Sequence, residues 1–377
     1  MSRPLDPPAL HALARGCAIL GTGGGGDPYN GLLQALQATE ECGPVSLVDL
    51  DELPDDALIM PCGGIGAPTV SLEKFENGDE GGRLRDHLEQ LTGRQVAALM
   101  SAEIGGGNGL QPISWAARIG LPVLDADGMG RAFPEVPQVS MHLAGISPSP
   151  CVMTDERGNV IVFRAVSGPW LERLARAATV ELGGTASSAE YVLTVAQARE
   201  ATLRGSVSLA MRIGQAAVGA ADPVAAVLAA TSGFRLVTGK ITDVERRTTG
   251  GFARGSVEVE GLGADAGRLI RLEFQNENLV AVEFSPAAGR RFGGDRGVAP
   301  PGQHVRASVP DLITVLDTET AGAIGTEWLR YGQRVTVIAF GCHPLWRTAA
   351  GLALAGPRAF GYDVDYVPVE ELAGAGR

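Results

Sequence analysis

Five carboxylates in the first 135 residues stand in or beside glycine-rich segments: Asp27, Glu73, Glu103, Asp125 and Asp127, with Lys74 and Arg131 as counter-charges. Carboxylates in an apolar cleft suit general acid/base catalysis or ligation of a hard cation. Asp125 and Asp127 flank Ala126, so in an extended segment they point to opposite sides. Asp127 has Gly128 beside it, which leaves room for a ligand, and is the one expected to face it. Asp127 or Glu103 would activate water, with Glu73 and Lys74 as further catalytic groups. Asp27, Glu103 and Asp127 are the candidates for a divalent metal ion, either a hard oxygen-loving one or zinc in a mixed site; whether a metal is used stays open. Cys62 is an alternative nucleophile, because an N–H-rich loop after it would lower its pKa. Cys342 and His343 are chain neighbours and rarely face each other. His142 reads as a strand residue, and no H-x-x-x-H spacing occurs.

The glycine-rich segments are residues 21–27, 62–68, 103–108 and 125–131. Each follows a short apolar run that reads as a strand, and ligands of parallel sheets bind beyond the carboxyl ends of strands. Four such loops on one edge would form a cleft floored by bare backbone, where Gly24, Gly25, Gly66, Gly106 and Asn108 meet the substrate together with Asp27 and Arg131. Tight turns between strands and helices are the bland alternative. Gly21, Gly23 and Gly26 also match a dinucleotide fingerprint, with Asp49 or Asp51 downstream. Asp27 and Pro28 follow at once, however, and set a carboxylate and a missing N–H where a pyrophosphate would sit. The P-loop lysine is absent as well, so neither NAD nor ATP is expected.

The elements that must position these groups alternate in the first half. Asp6-Pro7 begins a helix that Gly16 should end. Residues 17–20 read as the first strand, and residues 30–39 as a helix. Further strands fall at 45–48, 57–60, 96–100 and 122–124, with helices at 82–91 and 110–119. That alternation implies an α/β domain over residues 1–165, a mostly parallel sheet with helices on both faces. Residues 151–153 and 160–163 form a hairpin. A helical connector over about 166–233 follows, with Ser206 capping one helix and Asp222-Pro223 starting another. From 234 to 377 short strands dominate, at 237–244, 256–259, 269–274, 279–284, 312–315 and 335–340, which suggests a mainly-β, barrel-like domain.

Length, 377 residues, exceeds one ordinary domain and fits two. Glycine supplies 52 residues, about twice its usual share, without a collagen period. The formal charge of −12 and the absence of a basic block argue against nucleic acid or an anionic membrane as partner, and leave a small-molecule substrate. No apolar run approaches a membrane span of about 18–20 residues, and the first 13 residues lack the apolar core of a signal peptide. The five scattered cysteines, without C-x-x-C, fit a reduced cytoplasmic protein.

Six segments together carry a family likeness: Gly21-Thr-Gly-Gly-Gly-Gly-Asp-Pro-Tyr29; Gly66-Ala-Pro-Thr-Val70 with Glu73-Lys74; Glu103-Ile-Gly-Gly-Gly-Asn108; Asp125-Ala-Asp-Gly-Met-Gly-Arg-Ala-Phe-Pro-Glu135; Asp243-Val-Glu-Arg-Arg-Thr-Thr-Gly-Gly-Phe252; and Gly356-Pro-Arg-Ala-Phe-Gly-Tyr-Asp363. Across nearly its whole length the sequence resembles the DUF917 family, associated with S-methyl thiohydantoin desulfurase. The resemblance implies an N-terminal α/β domain, a C-terminal barrel-like domain and hydrolytic removal of a sulfur group from a five-membered thiohydantoin, leaving a hydantoin. Its pattern does not require a cysteine at Cys62 or the pair at Cys342-His343. Members also occur beside hydantoinase/oxoprolinase-type enzymes. A non-catalytic ligand-binding or accessory subunit of such an enzyme is therefore the competing expectation, with that enzyme or a homo-oligomer as the assembly. The segment around Arg358–Tyr362 is expected to reach across and close the cleft.

Overall fold

The computed structural model describes residues 3–71, 73–249, 252–284 and 303–374. Gly250 and Gly251 of the fifth family segment and parts of the expected C-terminal domain (285–302 and 375–377) lie outside that set.

The first sheet has a parallel centre, β2 (Val45–Val48), β5 (Val123–Asp127), β4 (Val96–Ser101) and β3 (Leu58–Gly66), in that spatial order. Antiparallel β1 (Arg3–Leu5) closes one edge, and β8 (Thr185–Ala189), β6 (Cys151–Thr154) and β7 (Val160–Phe163) extend the other. Alternation along the strands sorts the core into two faces, as the two-residue side-chain period requires. Leu47, Met60, Leu99 and Val123 pack under α1 (Pro7–Leu20), α2 (Pro28–Cys42), α4 (Glu80–Thr92) and α5 (Gln111–Ile119). Their neighbours Val48, Ile59, Ala98, Met100 and Leu124 face the opposite way, against α8 (Val195–Ala201) and the C-terminal residues Trp346 and Phe360. The short α3 (Pro68–Ser71), α6 (Ser140–Leu143), α7 (Gly168–Glu181), α9 (Ser206–Ala216) and α10 (Pro223–Thr231) complete the helices before the second sheet. That sheet is wholly antiparallel: β15 (Gln303–Ser308), β14 (Glu277–Phe284), β13 (Leu269–Gln275), β12 (Phe252–Gly261), β11 (Phe234–Thr249), β17 (Arg334–Phe340) and β16 (Leu312–Asp317). It curls until β16 packs against β14, a half-barrel. The chain is thus an α/β domain followed by a curled β domain.

Several elements differ from the sequence expectation. Residues 17–20 are the last turn of α1, not a strand, and α1 continues through Gly16. A Cβ at Gly16 would lie 1.7 Å from the Ala210 carbonyl oxygen of α9, and one at Gly214 would lie 1.9 Å from that of Ala12. Gly16 is therefore a contact between two helices rather than a stop signal. Residues 62–66 are strand, not loop: β3 runs parallel to β4 and then pairs antiparallel with β8 over Cys62–Ala189 to Gly66–Thr185. His142 lies in the helical turn α6. Gly205, with φ of 75°, rather than Ser206, is the N-cap residue of α9. The connector over 166–233 is only partly helical, since β8 and the two-residue β9 (Leu193–Thr194) and β10 (Leu203–Arg204) belong to the first sheet.

The Gly16 contact predicts that Gly16→Ala separates α1 from α9 and costs roughly 1–3 kcal/mol of stability. A lower urea midpoint at unchanged m-value is the expected reading.

Candidate functional site

The two sheets meet through the loop between α1 and α2. The Thr22 carbonyl accepts from Asn278 N (2.8 Å) and the Gly23 carbonyl from Thr326 N (2.8 Å), both in the second domain. On the other side the Gly25 and Gly26 carbonyls accept from Asn108 N (3.2 Å) and Gly107 N (3.1 Å). Much of the glycine here serves backbone packed on backbone: a Cβ at Gly106 would lie 2.4 Å from the Gly25 carbonyl carbon. Because Gly107 and Asn108 donate to carbonyls, these two N–H groups do not form an oxyanion hole. The Gly21–Gly26 run also follows a helix instead of a strand, so the premise of the dinucleotide fingerprint does not hold.

Beside this junction a cleft of about 200 Å³ opens. Of the candidate site residues, Gly25, Asp27, Gly66, Lys74, Glu103 and Asn108 line it, together with Gly26; Glu73, Gly106, Asp127 and Arg131 do not. Gly24 lies behind the wall, in a smaller recess. Glu73 is exposed to solvent. Asp127 is fully buried, and its Oδ2 accepts from the N–H groups of Ile104 (2.9 Å), Met129 (3.0 Å) and Gly130 (2.7 Å). It organises the two loops that carry Glu103 and Arg131 instead of facing a ligand. Asp125 does point the other way, where its Oδ1 accepts from Ser208 N (3.0 Å) in the first turn of α9. Asp27 caps α2 through Tyr29 N (2.8 Å). Lys74 donates to the carbonyls of Leu182 (2.6 Å) and Thr185 (2.7 Å) and pairs with Glu156 (2.9 Å), an anchoring role. The three metal candidates do not converge, and among the described residues no group of three or more His, Cys, Asp or Glu could hold a metal ion.

Arg131 is buried, and its guanidinium donates to the carbonyls of Ala132 (2.9 Å), Pro310 (2.7 Å) and Asp311 (2.9 Å) and to the Thr22 hydroxyl (2.9 Å). It stacks 4.5 Å from the Phe133 ring centre. It therefore binds the second domain to the first from behind the cleft wall.

Glu103 is the predicted residue that does enter the cleft with a poised carboxylate. Its Oε1 accepts from the Asn108 amide and its Oε2 from Phe133 N (3.2 Å). Asn108 is itself fixed, since its Oδ1 accepts from Gly64 N (2.7 Å). Burial pushes Glu103 up to about 8 despite these donors, and the Asp127 charge adds to the rise.

Sequence reasoning missed the carboxyls that join it. Glu76 accepts from the Ser187 hydroxyl (2.6 Å), Trp115 Nε1 (3.1 Å) and the Gln111 amide, and burial pushes it up to about 7. Glu190, at the end of β8, is pushed up to about 7 by burial as well, and its Oε2 has no hydrogen-bond partner. Glu277 comes from the second domain, at the tip of the β13–β14 hairpin. Burial and the Glu103 charge hold it well above the usual carboxylate range, against the pull of Arg131. The acidic–polar run 275–278 between two apolar strands was the available signal for Glu277, but it reads only as a turn.

The thiols behave differently. Cys62 is buried off the cleft, and burial, with the charges of Glu190 and Glu76, raises it well above its ordinary value. Cys342 is pushed up to about 12 by burial. Arg358 is exposed and pairs with Asp363 (2.8 Å) and Asp365 (3.0 Å), so the C-terminal segment does not close the cleft. It packs behind it instead: Trp346 Nε1 donates to the Met129 carbonyl (2.7 Å) and its ring meets Phe133 edge-on at 4.9 Å.

Comparison with known proteins fits this architecture. The N-terminal domain of the S-Me-THD-like family matches residues 8–165, and its C-terminal domain matches residues 166–369. The chain belongs to the S-Me-THD-like family. Its fold is similar to that of a crystal structure of a protein from Chromobacterium violaceum, solved by structural genomics. The two share 22% identity and a TM-score of 0.77, over 97% of this chain and 100% of the other. No curated protein matches. Among the described residues no helix is long and apolar enough to cross a membrane.

The raised carboxyls set a pH dependence whose sign follows from linkage. Folded protein keeps protons on Glu76, Glu103 and Glu190 that the unfolded chain releases near pH 4.5. Stability therefore falls as pH rises from there toward about 8, by up to about 4 kcal/mol per pH unit while all three protons are held and by less above pH 7. Urea midpoints measured from pH 5 to pH 8 should decline, and less steeply in Glu190→Gln. A flat wild-type profile would mean that these groups ionise normally.

Proposed function

We propose that the protein is a hydrolase that removes the sulfur substituent from a small five-membered S-substituted thiohydantoin and leaves a hydantoin. Family membership supports the substrate class. The observation that carries the reaction type is Glu103, a buried carboxylate at the cleft wall with both oxygens oriented by donors and its protonation poised near neutrality. A general base works best when its pKa lies near the working pH.

Water attacks the ring carbon that bears sulfur, and Glu103 takes its proton. The C=N electrons move to the ring nitrogen, which is protonated. The tetrahedral adduct then collapses: a C=O bond forms, the C–S bond breaks, and the sulfur leaves as a thiol. Asn108 holds Glu103 in place through the step. A thiolate nucleophile is a poorer reading, because Cys62 lies off the cleft and burial keeps it protonated.

Incubation with S-methyl thiohydantoins should release methanethiol, with kcat/KM rising as pH passes through about 8. Glu103→Gln is expected to lower kcat by ~10²–10⁴, the usual worth of a positioned base. Cys62→Ala should keep turnover. Ligand binding without thiol release would replace this reading with a binding or accessory role.

A further inference from the structure

We propose that Glu277 is the proton donor of the cleft, giving its carboxyl proton to the ring nitrogen as water adds to the adjacent carbon. This rests on the hydrolase reading and assigns the second half of its proton traffic to the second domain.

Geometry brings this side chain to the cleft. Asn276 turns the β13–β14 hairpin with φ of 59°, and it is pinned by Asn276 N donating to the Ala253 carbonyl (2.7 Å) and Ala253 N donating to Asn276 Oδ1 (2.8 Å). Asn278, one residue beyond Glu277, donates to the Thr22 carbonyl on one side and, through its amide, to the Ile313 carbonyl (3.1 Å) on the other. Glu277 is thereby pressed onto the glycine loop. A Cβ at Gly24 would lie 2.1 Å from its Oε1, so only glycine leaves space for the carboxyl there.

Glu277 lines the cleft while only 2% exposed, and its Oε2 has no hydrogen-bond partner. A buried ionised carboxylate needs donors. The charged and titratable groups facing it are Glu103 from the loop after β4, Glu327 from the segment before β17, and Arg131 from the loop after β5. Two of the three are carboxyls, and the described donor contacts of Arg131 go to three carbonyls and the Thr22 hydroxyl. A neutral acid is the form this pocket favours, and a neutral acid has a proton to give.

The cycle closes without a co-reactant. Glu103 takes a proton from water while Glu277 gives one to the ring nitrogen. On collapse, the adduct hydroxyl returns a proton to Glu277 as C=O forms, and Glu103 gives its proton to the departing sulfur. Water is consumed, thiol is released, and both carboxyls regain their starting states.

Two measurements test this. In infrared difference spectra of the intact protein at neutral pH, Glu277→Gln should remove a protonated-carboxyl C=O band. Loss of a carboxylate band instead would overturn the proposal. In kinetics, Glu277→Gln should lower kcat by ~10²–10⁴ and remove the alkaline fall of the pH–rate profile while the acidic limb remains. Gly24→Ala, which displaces the carboxyl without removing it, should lower kcat more than it raises KM. Thiol release by Glu277→Gln at the wild-type rate and with the wild-type pH profile would overturn this inference alone. Failure of the wild-type protein to release any thiol would overturn the hydrolase reading, and this one with it.

Discussion

The buried guanidinium of Arg131 is the constraint on which the cleft depends. Three carbonyls and a hydroxyl from three separate segments converge on one planar cation: Ala132 beside it, Thr22 at the end of α1, and Pro310 and Asp311 in the second domain. Arginine suits this work because its donors lie in a fixed fork and its charge survives burial. Removing it would leave buried acceptors without partners and would separate the domains at the place where the cleft forms. Its second effect is electrostatic. One buried cation stands behind two buried carboxyls, Glu103 and Glu277, and it favours ionisation of both. A single positive charge cannot balance two negative ones in a dry wall, so at least one proton belongs to the resting site.

The glycine-rich segments take their meaning from that junction. Gly25 and Gly106 are small because two loops cross backbone to backbone, while Gly24 is small because the Glu277 carboxyl lies against it. These are different demands, and composition cannot tell them apart. A floor of bare backbone offering N–H groups to a ligand would need those groups free, yet Gly107 and Asn108 donate theirs to Gly26 and Gly25. The loops therefore act chiefly as thin spacers. They let side chains from both domains come within reach of one small molecule.

What was legible in the sequence follows the range of the interactions involved. Short apolar runs as strands, the Asp6 cap, the 151–163 hairpin and the two-part architecture built from them rest on local signals, and they hold because buried strands and helix caps are set within a few residues. Residues 17–20 are helix and not strand because Gly16 is a contact and not a stop: its partner is Ala210, nearly 200 residues away, beyond the reach of any local signal. Asp127 and Arg131 stand out in the sequence by charge and setting, which do not tell a ligand contact from a structural anchor. Both carry the charges expected near a ligand, yet one binds three N–H groups and the other four oxygens, and neither lines the cleft. Glu190 and Glu277 were invisible because burial, not residue type or spacing, makes them unusual.

The same burial argues for carboxyl over thiol chemistry. Desolvation raises the pKa of both kinds of group, but from different starting points. A carboxyl lifted from near 4.5 arrives near neutrality, as Glu76, Glu103 and Glu190 do, and can exchange protons in either direction. A thiol lifted from near 9 moves away from neutrality and loses its nucleophilic form, as with Cys62 and Cys342. A buried, acidic pocket between two domains is therefore better suited to proton transfer than to covalent catalysis by sulfur. It draws side chains from both halves of the chain, which is why neither domain alone would hold a complete set.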